Sequence, residues 1–182
     1  MKDQVSDLYD KIQGEGGGLG KLLEKVPGLS GYMEKSRRRE ADQLLRETVS
    51  SRLEEARLQL SRTHQELSRD IIKAMDYAED LGRTDNRLMG LIGKIKDAPQ
   101  GYAGFFDAVK VKEDDLARLY AFDESMIGHT DQISADVAAL EKATVDDGDI
   151  RGALRGLDKS VRDANDIFNS RNEVLKGVTD QF

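Results

Sequence analysis

The chain contains no cysteine and no tryptophan, only two prolines among 182 residues, and aromatic side chains at 5% of positions. Without cysteine there are no disulfides and no thiol chemistry, which fits a reducing compartment. Apart from Pro27 and Pro99, no residue removes a backbone donor, so long stretches are open to uninterrupted helix. The β-branched runs that a β-rich fold needs are missing. No segment approaches the roughly 18–20 consecutive apolar residues of a membrane span. Met1-Lys2-Asp3-Gln4 leads into a polar amphipathic stretch rather than the apolar core of a secretory signal. These absences lead to the expectation of a cytoplasmic protein.

What the chain has in excess is charge. Asp, Glu, Lys and Arg make up 35% of it, against about 25% in ordinary globular domains. Apolar residues make up 38%, enough for seams between helices but not for a thick spherical core. The net charge of −7 is unevenly spread. Residues 1–40 carry eight basic against seven acidic side chains, whereas residues 84–182 carry thirteen against nineteen. Wholesale nucleic-acid binding needs basic clustering to neutralise phosphates, and the acidic C-terminal half disfavours it.

Two segments are expected. Residues 1–29 read as a short amphipathic N-terminal helix, with Val5, Leu8, Tyr9 and Ile12 at helical spacing, followed by a glycine-rich hinge. The hinge holds five glycines between Gly14 and Gly20, which are entropically costly to order. It is no phosphate loop, because Gly20-Lys21 is followed by Leu22 where that motif requires Ser or Thr. Residues 30–182 read as a helical bundle. Ser30 is a good N-cap, and after Gly31 neither Pro nor Gly interrupts the chain up to Leu81.

That stretch predicts one long helix. Its apolar stripe runs through Leu45, Val49, Leu53, Ala56, Leu60, Leu67, Ile71, Met75 and Ala78, with Thr63 or His64 filling one polar rung. The mean step is about 3.67 residues, a hendecad spacing that suits a nearly straight helix. The one candidate break is Ser68-Arg69-Asp70. Gly82 would close the helix, and Thr84 or Asp85 would cap the next one, over 85–98. The segment from Gly101 to Phe106 reads as a packed corner. A further helix over 113–143 carries the rungs Leu116, Leu119, Asp123, Met126, Thr130, Ile133, Val137 and Leu140. The last, over 149–178, alternates steps of four and three through Ile150, Leu154, Leu157, Val161, Ala164, Phe168, Arg171, Leu175 and Val178, a heptad seam. The acidic turn at 146–149 belongs to the start of that helix, where carboxylates complement the macrodipole. The expected fold is therefore all-α: an elongated antiparallel helical bundle with coiled-coil-like packing around one long helix.

Motifs for chemistry are missing where they would be expected. Neither His64 nor His129 has a Glu three residues before it, as a di-metal carboxylate bundle requires. The acidic turn at Asp146-Asp147-Gly148-Asp149 lacks the flanking ligands of a calcium loop, since Ala143 and Leu154 stand at those positions. No serine-nucleophile elbow occurs. The sequence thus calls for no enzyme activity, no metal, no cofactor and no small-molecule substrate. The Gly152-x-x-x-Gly156 pair reads as a site of close backbone packing rather than a membrane dimer motif.

Two polar features remain. Asp123 and Arg171 each occupy a rung otherwise apolar, and a lone buried charge is costly. Either they pair across the bundle and set the register of two helices, or both side chains snorkel to water. The cluster Lys35, Arg37, Arg38 and Arg39 follows the N-terminal arm and is the sharpest basic feature. It is either an anionic-surface contact or a solvated face balanced by Glu34, Glu40 and Asp42. The functional expectation is a non-catalytic interaction or scaffold protein that self-associates or docks onto a larger assembly. Two alternatives use the arm and the basic cluster: a peripheral adaptor on an anionic membrane surface, or an RNA or ribonucleoprotein binder.

Overall fold

A computed structural model describes residues 25–26, 38–98 and 113–179, with backbone only at 38–40, 113–116 and 174–179. Four helices account for nearly all of these residues: α1 (Arg38–Leu67), α2 (Ile71–Asp97), α3 (Glu113–Val145) and α4 (Ile150–Thr179). The fold is all-α, with packing between neighbouring helices and no strand among the described residues. The expected N-terminal helix, the glycine-rich hinge, the Ser30 cap and the corner at 101–106 lie outside the described residues.

The expected single helix over 31–81 is corrected. α1 stops at Leu67, and α2 begins at Ile71. No proline or glycine causes the stop. The last turn tightens instead: the Arg69 and Asp70 amides donate to the carbonyls three residues back, and the Ser68 hydroxyl donates to the His64 carbonyl. Asp70 then restarts the chain. Its side-chain Oδ1 accepts from the amides of Ile72 at 2.9 Å and Lys73 at 3.2 Å, which satisfies two of the four orphan donors of a helix start.

The expected boundary at 82–85 is corrected too. α2 runs straight through Gly82. The Thr84 hydroxyl bonds back to the Asp80 carbonyl within the helix, and Asp85 serves a cross-helix pair rather than a cap. Because α2 starts a turn late, its side chains face in new directions. Its buried residues are Leu81, Thr84, Leu88, Leu91, Ile92 and Ile95, while Ile71, Met75 and Ala78 of the expected core stripe are exposed. In α1 the stripe is buried as expected, with Thr63 as the polar rung, its hydroxyl satisfied by the Gln59 carbonyl.

The chain divides into two compact units, unit 2 drawing on all four helices and unit 1 on α1, α3, α4 and the last residue of α2. Unit 2 comprises residues 50–96 and 129–165. Polar contacts on its surface define the order of its helices. Glu54–Lys96 and Arg57–Asp85 join α1 to α2, and Asp136–Ser160 joins α3 to α4, each pair antiparallel. Arg52–Asp131 and Gln59–Glu141 join α1 to α3, while Arg87–Asp158 and Lys94–Asn165 join α2 to α4. Along both of these edges residue numbers rise together, so the helices run parallel. Two antiparallel hairpins thus lie side by side, with α1 diagonal to α4. The interior is filled by the expected seams, among them Leu60, Leu88, Val137 and Leu157. Burying each such side chain contributes about 1.5–3 kcal/mol.

The turn between α3 and α4 uses its acidic residues as expected. Asp147 adopts a left-handed φ of 52°, and the Gly148 amide caps the Ala143 carbonyl. Asp149 Oδ1 then accepts from the Gly152 amide at 2.8 Å, capping α4. This corrects the reading of Gly152 and Gly156 as a close-packing pair. A Cβ at Gly152 would collide with the capping carboxylate of Asp149, and one at Gly156 would meet open space.

Unit 1 contains the described residues up to Val49, those of 97–128 and those from Asp166 onward. Here α3 buries more than its seam, adding Ala121, Phe122 and Ile127 to Leu119 and Met126. Val26 and Ile167 are buried in the same unit. At the centre of this apolar layer lie charged side chains.

Candidate functional site

The charged centre of unit 1 is built from four residues on three helices. Arg171 of α4 is 1% exposed, and Asp123 of α3 and Asp42 of α1 are 0% and 3% exposed. Arg171 Nε donates to Asp123 Oδ1 at 2.5 Å, and Arg171 Nη2 donates to Asp42 Oδ1. Arg46, one turn along α1, donates from Nε to Asp42 Oδ2 at 3.0 Å and from Nη1 to the Ala98 carbonyl at 3.0 Å. The chain of donors and acceptors therefore reaches the end of α2 as well. Among the described residues two guanidinium groups face two carboxylates, and these charge-assisted bonds offset part of the cost of desolvation.

The structure brings Asp123 and Arg171 together, but not as an isolated pair. In the sequence Asp42 entered only as a possible helical partner of the basic cluster on a solvated face. It lies instead one rung before Leu45 on the buried stripe of α1, and that spacing was the available signal. Of the cluster itself, Lys35 and Arg37 lie outside the described residues, as do the side chains of Arg38 and Arg39.

The second candidate is a surface, wholly within unit 2. Ile71, Ile72 and Met75 are 77%, 72% and 82% exposed on the first turns of α2. From Ile71 the steps of four and three continue through Met75, Ala78, Gly82, Asp85 and Met89. This is a heptad stripe beside α1, exposed at Ile71, Met75, Ala78 and Met89 and half-buried at Gly82 and Asp85, distinct from the buried stripe starting at Leu81. Beside it, α1 and α2 form an open groove of about 390 Å³, lined by Leu58, Leu60, Ser61, His64 and Leu81 together with Glu54, Arg57 and Asp85. Leu58 and Met89 add further exposed apolar area. The only charge on the stripe is Asp85, which Arg57 holds through both carboxylate oxygens at 2.8 and 2.9 Å. That hydrogen-bonded carboxylate raises the Arg57 pKa above its ordinary value.

On the α2–α4 edge lies a smaller groove of about 260 Å³, lined by Arg87, Gly90, Leu91, Lys94, Val161, Arg162 and Asn165. Its two arginines share Asp158, and Lys94 Nζ donates to Asn165 Oδ1 at 2.7 Å. At the start of α2, Lys73 pairs with Asp147 of the α3–α4 turn. The ammonium's hydrogen bond holds the Asp147 carboxyl below its usual range, and the carboxylate raises the Lys73 pKa. Among the described residues no group of three or more His, Asp or Glu side chains is arranged to hold a metal ion, and no helix is long and apolar enough to cross a membrane. Comparison of the chain with protein-family models, with curated proteins and with solved structures finds no match.

Proposed function

We propose that this chain is a non-catalytic helical interaction protein that works by presenting the open face of α2 to another protein, in the manner of a scaffold or assembly component. One observation carries this reading. Ile71, Ile72 and Met75 stand largely in water on a helix whose own core begins only at Leu81. Each fully exposed side chain of this size forgoes about 1.5–3 kcal/mol that burial would supply. A heptad stripe beside a groove is the shape that takes a partner helix. Separately, the buried ionic group of unit 1 fixes the register of α1, α3 and α4. A shifted register would leave one of its charges without a partner.

The test is a comparison of the intact chain with its Ile71→Lys/Met75→Lys variant in affinity capture from the cells that make it, read by quantitative mass spectrometry. The reading expects at least one protein, an untagged copy of the chain included, to fall roughly tenfold, the loss that about 1.4 kcal/mol produces. Identical capture by both chains would refute it.

A further inference from the structure

The stripe on α2 has a property that a general docking face does not need: it is its own complement when reversed. Ile71 and Met89 lie equally far from Asp80 in sequence, as do Met75 and Asp85, and Ala78 and Gly82. We infer that the occupant of this face is a second copy of the chain, with its α2 antiparallel on the first about a two-fold axis level with Asp80. This rests on the reading of the α2 face as a docking surface and names what docks there.

Three observations argue for a second copy in that orientation. The antiparallel register sets large against large at the ends, Ile71 on Met89, and small against small at the centre, Ala78 on Gly82. A Cβ at Gly82 would find nothing within 4 Å, so the helix surface is open where the two backbones approach. The charge on the stripe agrees. A parallel, in-register copy would stack Asp85 on Asp85, whereas the antiparallel one places each Asp85 opposite Met75 and separates the two carboxylates by about 15 Å along the axis. Each Asp85 is already held by Arg57 of its own chain, so no unpaired charge enters the contact.

The area is sufficient as well. Ile71, Ile72, Met75, Met89 and Leu58 together offer roughly 200–400 Å² of apolar surface per copy. With the polar rim that accompanies such surfaces, the two copies bury about 1,000 Å², the lower end of specific interfaces. An isologous contact uses the face on both copies and closes, so the product is a dimer and not a filament.

The absence of native cysteine makes the register directly readable. Ile71→Cys and Met89→Cys chains, distinguished by tags of different size, are oxidised separately and as a mixture. The expected product is a disulfide-linked heterodimer in the mixture and little linkage in either chain alone. In the antiparallel pair the two copies of position 71 are about 27 Å apart, against a limit of about 7 Å for a disulfide. Sedimentation equilibrium of the parent over roughly 1–200 µM is expected to show the mass rising from 20.3 kDa towards twice that value. The Met75→Lys chain is expected to stay at 20.3 kDa with an unchanged helix signal and melting curve, because Met75 supports no core contact.

A strict monomer at every concentration overturns the inference, and so does efficient self-linkage of the Ile71→Cys chain. If Met75→Lys nonetheless loses a different captured protein, the second copy is excluded while the docking reading stands. If Met75→Lys dimerises and captures like the parent, both fall.

Discussion

Replacing Arg171 by Met removes the guanidinium that Asp123 and Asp42 share, while keeping most of the side-chain volume. The two carboxylates do not suffer equally. Asp42 retains Arg46 at 3.0 Å, but Asp123, with no exposure, loses the Arg171 hydrogen bond in the protein interior. Breaking a buried pair by removing one partner costs about 3–5 kcal/mol, a large share of the ~5–15 kcal/mol by which domains are stable. For a chain of this length the melting temperature falls by about 2–4 °C per kcal/mol, so a drop on the order of 10 °C is expected. The informative comparison adds Asp123→Leu. Exchanging both members of a buried pair for apolar side chains is often neutral, so the double variant recovers most of the loss, with a coupling of at least ~2 kcal/mol. Urea unfolding followed by circular dichroism at fixed pH measures all three variants. The account of the network is refuted if Arg171→Met costs under about 1 kcal/mol, or if the two single losses simply add.

Four smaller perturbations test other parts of the structure. Asp70→Ala removes the cap of α2 and is expected to cost about 1 kcal/mol in urea unfolding, with the first turn of α2 losing amide protection. No change in either would mean that the break at 68–70 does not depend on this side chain. Gly156→Ala, in open space on an exposed helical face, is expected to stabilise by about 0.5–1 kcal/mol. Gly152→Ala gains no such benefit, because its methyl displaces the Asp149 cap. Equal gains at both glycines would contradict the capping geometry. Asp147 titrates below the ordinary carboxylate range while Lys73 is present, so its pair with Lys73 is intact above the unfolded-state pKa of Asp and is lost as pH falls through the lower folded value. In carbon-detected NMR, Lys73→Ala is expected to return the Asp147 midpoint upward; an unmoved midpoint would show that another group lowers it.

The helical character of this chain, the buried rungs of α1, α3 and α4, and the polar positions Asp123 and Arg171 were legible in the sequence. Helical periodicity is a local property, and a seam repeats whether or not its partner is known. Where α1 ends was legible only as a candidate break at Ser68-Arg69-Asp70, which is where the structure places it. Every residue from 31 to 81 tolerates a helix, and the break depends on small terms: a tightened turn at Ser68 and Arg69 and one capping carboxylate on Asp70. That break then decides which of two apolar stripes on α2 enters the core. Leu81, Thr84 and Leu88 do, and Ile71, Met75 and Ala78 remain outside, although their spacing is equally helical. Asp42 shows the same division. Its position one rung before Leu45 is a fact of sequence, but its partner lies 129 residues away. Which face of a helix is buried is a property of its neighbours, and only tertiary packing sets those neighbours in place.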